Sequence, residues 1–468
     1  MLFTDPQFYL FFLPITLFAL WLSLRVSKGQ FSGASYLVIA LATLFFYGSQ
    51  SAWYLLPLGI SIGCDFLWAT LLFRTKDSRI RKLICTLSIC QNIAILALFK
   101  FRPFWLSLLG GNSEGYGELA WLPKELPPGI SFYTFESMSF VIDIYRGQIA
   151  APVRPREFFG FLLMFPRFIA GPIVRFSEML PQYQRFQGMH LGSGFVTFAF
   201  GFALKRLFAD NFAHLVPLAF ENTSPSGLES WLGVFGYTFQ IYFDFSGYSL
   251  MAIGLGKMLG FQFPANFNRP YLASSLQDFW RRWHITLSSW LRDYVYFSLG
   301  GNRCGKWRTY LNLLITMAVG GVWHGGTVSF LIWGLWHGSF LVIERQIWSE
   351  DYQARWRTVF TFFIVMWGWV FFRADTLKHA ARIFHSLLFF GGTDSLVVHL
   401  PQAMSPEQWL LIGCGLVYCF VIERNWESLM DRLEKLPPFF AYSTSSFLIA
   451  MSVDLSSNSL LPFLYFQF

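Results

Sequence analysis

Apolar runs alternate with short basic clusters along almost the whole chain. Runs at residues 7–24, 34–48, 53–73 and 83–101 have the length and composition of helices built for a bilayer, which needs roughly 20 apolar residues per crossing. Arg25 and Lys28 follow the first run, and Arg74, Lys76, Arg79, Arg81 and Lys82 follow the third, with Asp77 as the one acid among them. Lysine and arginine mark cytoplasmic loops. The pattern therefore puts the N-terminus outside, the loop after the first run inside, and the loop near residues 49–51 outside. The first run lacks a basic leader and a small-residue cleavage motif, so it reads as a retained span.

Later runs are interrupted. Residues 102–129 form a glycine- and proline-rich connection that the count places outside. Residues 130–145 carry Glu136 and Asp143 and are too polar to face lipid. Residues 158–172 are broken by Pro166, Arg167 and Gly171-Pro172. A re-entrant segment fits this break, with the arginine needing an anionic or carbonyl partner; a surface amphipathic helix is the alternative. One span is expected over 195–220, despite Lys205, Arg206, Asp210 and His214, and a long one over 231–261 with Asp244 turned inward. Residues 271–299 mix Trp280, Trp283 and Trp290 with Arg281, Arg282 and Arg292. They suit a helix at the inner interface, with His284 and Ser288 one turn apart. Further segments follow at 356–372, 380–390, 409–422 and 440–468.

Residues 310–344 are the centre of the pattern: apart from His324 and His337, they hold no acidic or basic side chain before Glu344. Each histidine sits in a Trp-His-Gly triplet, and Gly320, Gly321, Gly325 and Gly326 bracket Trp323 and His324. The arms 309–323 and 327–344 have 15 and 18 residues, so two short helices meeting at a glycine turn are expected, with His324 at the tip. An imidazole at membrane depth is a functional candidate by default.

Composition agrees with a polytopic membrane protein. Hydrophobic residues make up 54% and charged residues 13%, against about 25% charged in soluble domains. The net charge of +8 is spread over loop-sized clusters, which excludes nucleic acid as a partner and makes the lipid bilayer the expected one. The six cysteines have no metal-ligand spacing with histidine, so they read as structural filler and no metal site is expected. The fold class is all-α: a single membrane domain over 1–468, with about ten to twelve transmembrane or re-entrant helices.

Five stretches together resemble the membrane-bound O-acyltransferase family: PPGISFYTFESMSFVIDIYRG (127–147), FPRFIAGPIVRF (165–176), YFDFSGYSLMAIGLGKMLGF (242–261), NFNRPY with DFWRRWHITLSSWLRDYVY (266–296), and GGVWHGGTVSFLIWGLWHG (320–338). The resemblance is to the bacterial polysaccharide branch, which includes the alginate O-acetylation membrane subunit, and more distantly to the D-alanyl transfer protein of teichoic acids. It is concentrated in 127–343 and implies helices surrounding a central tunnel. It also implies a catalytic role for His324 and a second polar position at His284; a counterpart of His337 exists with no settled role.

Elementary chemistry fits those roles. An imidazole can take the proton of an attacking hydroxyl near neutral pH, and a second one can orient a substrate or stabilise an oxyanion. No G-x-S-x-G serine accompanies them, so direct transfer is expected. The implied activity is O-acyl transfer, of acetyl from a cytoplasmic thioester, either acetyl-CoA or a carrier-protein thioester, with no bound cofactor. The implied acceptor is an exopolysaccharide hydroxyl or an acyl-relay protein on the exterior face of a bacterial cytoplasmic membrane, served by exterior acetylation-system proteins. Acyl transfer such as D-alanylation of a wall polymer is one alternative, and a substrate-binding transporter is another.

Overall fold

The computed structural model describes residues 1–101, 126–168, 171–348, 355–389, 404–455 and 463–464; the expected exterior connection falls mostly outside them. Among the described residues the regular structure is helical throughout. Four stretches among the described residues are long and apolar enough to cross a membrane: Phe8–Val26, Ala52–Arg74, Ser78–Lys100 and Leu191–Phe220. The residues group into two compact units, Met1–Phe198 with Met251–Pro264, and Ala199–Leu250 with Ala265–Phe468. The sequence carries no mark of this division, because its boundaries after Phe198 and Leu250 fall inside helices Leu191–Ala203 and Gly227–Leu259.

In the first unit, helices Leu55–Arg74, Ser78–Lys100 and Ile130–Tyr145 pack on one another. Asp65 ties them together. Its carboxylate accepts from Ser88 Oγ at 2.7 Å, from Asn92 Nδ2 at 2.9 Å and from Ser137 Oγ. Ser78–Lys100 starts where it does because Asp77 caps it, accepting from the Arg79 and Ile80 amides at 2.8 and 2.9 Å; a capping carboxylate satisfies amides that have no partner inside the helix. Gly129 begins Ile130–Tyr145 at φ +76°, where a Cβ would lie 1.8 Å from the Phe168 carbonyl oxygen.

The polarity of residues 130–145 has its expected consequence: nearly the whole helix is buried in protein. The interrupted segment is buried too, as short helices Pro155–Leu162 and Phe165–Phe168. Its arginine has both kinds of partner anticipated for it. Arg167 donates to Glu136 and to the Phe161 carbonyl, and Glu136 also accepts from the Val174 amide at 3.0 Å. In the first apolar stretch of the same unit, Leu10, Phe11, Ile15 and Phe18 are exposed, as side chains against lipid would be.

The second unit begins within the expected span over 195–220, a run from Leu191 to Phe220 whose winding loosens to a π-helix at Leu204–Ala209. The loosening coincides with a buried ion cluster. Lys205 Nζ lies 2.7 Å from Asp210 and 2.6 Å from Asp244, and Arg206 lies 2.7 Å from Asp210. Two cations and two anions compensate one another, which is what lets charges stay buried. Asp244, inward as expected, belongs to the 33-residue helix Gly227–Leu259, of which the part up to Leu250 lies in this unit.

Two expectations need correction. The helices on either side of the glycine turn are Lys306–His324 and Val328–Ile347, of 19 and 20 residues, close to 30 Å each at 1.5 Å per residue. They are not short, because lysine and arginine at the outer ends are good helix formers and winding does not stop where apolarity does. The residues 271–299 are not one interfacial helix either. They break at His284 between Leu276–Arg282 and Ile285–Trp290, and Trp283, His284 and Trp290 are buried.

Candidate active site

Glycine builds the site's frame. A Cβ on Gly321 would lie 2.3 Å from the Phe330 carbonyl oxygen, and one on Gly334 would lie 2.3 Å from that of Met317. Helices Lys306–His324 and Val328–Ile347 therefore touch backbone to backbone, which only glycine permits. Gly325 then runs extended and ends the first helix. A Cβ there would collide with the Phe330 ring at 2.1 Å.

His324 is the last residue of its helix and is 4% exposed. Its ring packs edge-on against Trp333 and Phe372, both at 5.1 Å between centroids, and against Trp323 at 4.8 Å. His337 also packs on Trp333, at 5.0 Å, and lies 5.3 Å from Trp280 and 6.1 Å from Phe279 between ring centroids. His284 meets Trp323 at 6.1 Å and Phe245 at 4.6 Å. The three histidines are thus joined through two indoles: Trp323 between His284 and His324, Trp333 between His324 and His337. The two positions singled out from sequence, 40 residues apart, share one tryptophan.

His284 stands at φ +42°, a conformation costing a non-glycine residue about 1–2 kcal/mol. Local hydrogen bonds hold it there. The Ile285 amide donates to the Asn266 carbonyl at 3.0 Å, and the Asn268 amide donates to the Arg282 carbonyl at 2.9 Å. His284 Nδ1 lies 3.1 Å from Asn266 Oδ1. The loop carrying Asn266 is fixed in turn by buried Glu423, which accepts from Tyr242 and from the Arg269 amide at 3.2 Å. Strained backbone that the surroundings enforce is characteristic of functional sites.

A cavity of about 1240 Å³ opens beside this cluster. Arg281, Arg282, Arg292, Arg345, Arg355 and Arg357 line it, against the carboxylates of Asp278 and Glu344. Asp278 is engaged by Arg282 at 2.8 Å, and Glu344 accepts from the Leu276 amide at 2.8 Å, so the cavity keeps a surplus of guanidinium charge. Trp280 and Met317 also line it. Trp280 stands 5.8 Å from Trp333 between ring centroids, so two indoles link the cavity wall to His324.

Neither Asp65 nor the convergence of Arg281, Arg282 and Arg292 with Arg345, Arg355 and Arg357 on one cavity stands out in the sequence. A lone aspartate inside an apolar run was a usable signal for the first. For Asn266, an uncharged side chain in a loop, polarity gives no signal; its place at the head of NFNRPY (266–271) is the one mark it carries.

The chain belongs to the membrane-bound O-acyltransferase family, whose pattern matches residues 146–374, the stretch holding all three histidines and the cavity. It is a membrane protein and an O-acyltransferase. Over 100% of both chains it is 36% identical to the "Probable alginate O-acetylase" of Pseudomonas putida. It is 34% identical to the peptidoglycan O-acetyltransferase of Helicobacter pylori, across 86% of this chain and 82% of that one. To the teichoic acid D-alanyltransferase of Bacillus subtilis it is 28% identical, across 54% of this chain and 69% of the relative.

Proposed function

We propose that the protein transfers an acetyl group from a cytoplasmic thioester towards hydroxyls of an exported polysaccharide, with His324 as general base and His284 as the second polar group. The observation that carries this is a sheltered imidazole at a glycine-built helix end, two indoles away from a wide cationic cavity. The cavity suits a phosphate-bearing donor such as acetyl-CoA or the phosphopantetheine of a carrier protein, since guanidinium groups bind phosphate through charge-assisted bonds. The full-length likeness to alginate O-acetylases supports a polysaccharide acceptor. Exterior acetylation-system proteins are the expected partners. The basic loops at residues 25–28 and 74–82 support a cytoplasmic-membrane orientation with the N-terminus outside.

In the proposed step the hydroxyl oxygen attacks the thioester carbonyl carbon as its hydrogen passes to His324. The C–S bond then breaks, and the departing thiolate takes the proton back from the imidazolium. Positive charge develops at the C-terminal end of helix Lys306–His324, the end of a helix dipole that favours it. Such proton transfer typically contributes about 10² to 10⁴ in rate.

The test is His324→Ala in cells. Loss of polymer esters with normal membrane abundance and normal polymer export is expected. Esters intact with export lost would favour a transporter instead.

A further inference from the structure

The Asn266 side chain is 1% exposed, and three of its hydrogen bonds decide which end of the amide faces His284. The Thr286 backbone N–H lies 3.3 Å from Oδ1, and a backbone N–H can only donate. The Thr286 hydroxyl lies 2.9 Å from the same atom, while Nδ2 at the other end faces Ser249 Oγ at 3.3 Å. The atom 3.1 Å from His284 Nδ1 is therefore a carbonyl oxygen. It accepts, so Nδ1 must bring the hydrogen. A neutral imidazole has one N–H, and with that hydrogen on Nδ1 the other nitrogen, Nε2, presents a lone pair.

We infer that Asn266 is a positioning residue that fixes the tautomer of His284, so that Nε2 enters the reaction as a hydrogen-bond acceptor for a hydroxyl of the incoming alcohol. This rests on the acyl-transfer reading above and narrows it. A neutral His284 with its hydrogen held by Asn266 has none left for an oxyanion. With His324 taking the proton of the reacting hydroxyl, the hydroxyl received by His284 is a second one, which suits acceptors carrying several hydroxyls, such as sugars. The surroundings make the tautomer rigid. The backbone bonds from Ile285 to Asn266 and from Asn268 to Arg282 clamp the loop to the His284 turn, and Phe245 lies edge-on to the ring. Trp323, shared with His324, puts both imidazoles around one indole.

The test is ¹⁵N NMR on full-length protein labelled at histidine and held in lipid nanodiscs, with the His284 signals identified by their loss in His284→Gln. The expected spectrum at neutral pH has a protonated Nδ1 and an unprotonated Nε2, and Asn266→Ala shifts the tautomer ratio towards Nε2–H. In cells, Asn266→Ala lowers polymer ester content by about ten-fold or more, because a histidine released to the wrong tautomer loses much of its contribution to the reaction. Asn266→Asp, which keeps an acceptor oxygen, restores most of it at equal membrane abundance. A hydrogen on Nε2 in the unaltered protein, a ratio unmoved by Asn266→Ala, or Asn266→Asp as defective as Asn266→Ala would overturn the inference. The spectrum needs no substrate, so it decides the coupling whatever His324→Ala does to ester content.

Discussion

Gly321 and Gly334 face each other across the central helix pair so closely that a Cβ on Gly321 would lie 3.2 Å from the Gly334 Cα. The contact sets where His324 stands, three residues further along its helix. Gly334→Val should push the helices apart and cost about 1–3 kcal/mol, the usual penalty for overpacking. Thermal unfolding in detergent reads the stability loss, and ester formation should fall with it. Unchanged melting would mean the helices are not held at this distance.

Arg167 and Glu136 form a buried pair in the first unit. Arg167→Met alone leaves a carboxylate without its cation, an effect worth about 3–5 kcal/mol. The double variant Arg167→Met/Glu136→Gln should recover much of that loss, because no charge remains to be compensated. Denaturation midpoints of the single and double variants make the comparison. Equal loss in both would show that the pair is not coupled.

Asp65 gathers Ser88, Asn92 and Ser137 from two other helices. Asp65→Ala strands those donors, each at about 1–3 kcal/mol when left unsatisfied, so a sharp drop in membrane abundance is expected. Asp65→Asn keeps an accepting oxygen and should be milder. Abundance is read by immunoblot of membranes. A variant with alanine here and wild-type abundance would contradict the network's role.

The cavity arginines give a kinetic prediction that rests on the proposed donor. Arg281→Ala/Arg345→Ala should raise the KM for acetyl-CoA about ten-fold or more, since each charge-assisted bond is worth about 1.5–3 kcal/mol, with a smaller effect on kcat. Added salt should raise the unaltered protein's KM in the same direction. Steady-state kinetics with purified protein in nanodiscs decides this. A KM indifferent to both changes places the donor elsewhere.

The sequence alone determined what depends on composition and on the absence of a side chain. Runs of apolar residues fixed a helical membrane protein. The need of Arg167 for an anion or a carbonyl, and the inward turn of Asp244, followed from the cost of burying charge. The junction at His324 was legible because Gly321 and Gly325 advertise a missing Cβ wherever they stand in the chain. Tertiary structure decided whatever depends on partners distant in sequence. Hydropathy along residues 271–299 could not reveal that His284 would be forced into a left-handed turn, because the forcing loop carries Asn266 and is itself held by Glu423, far downstream. The lengths of the central helices were hidden for a different reason: backbone hydrogen bonding continues through Lys306 and Arg345, where the apolar signal has already ended. An uncharged asparagine has no signature in a pattern of polarity, and its effect on an imidazole exists only once packing has brought the two within hydrogen-bond reach.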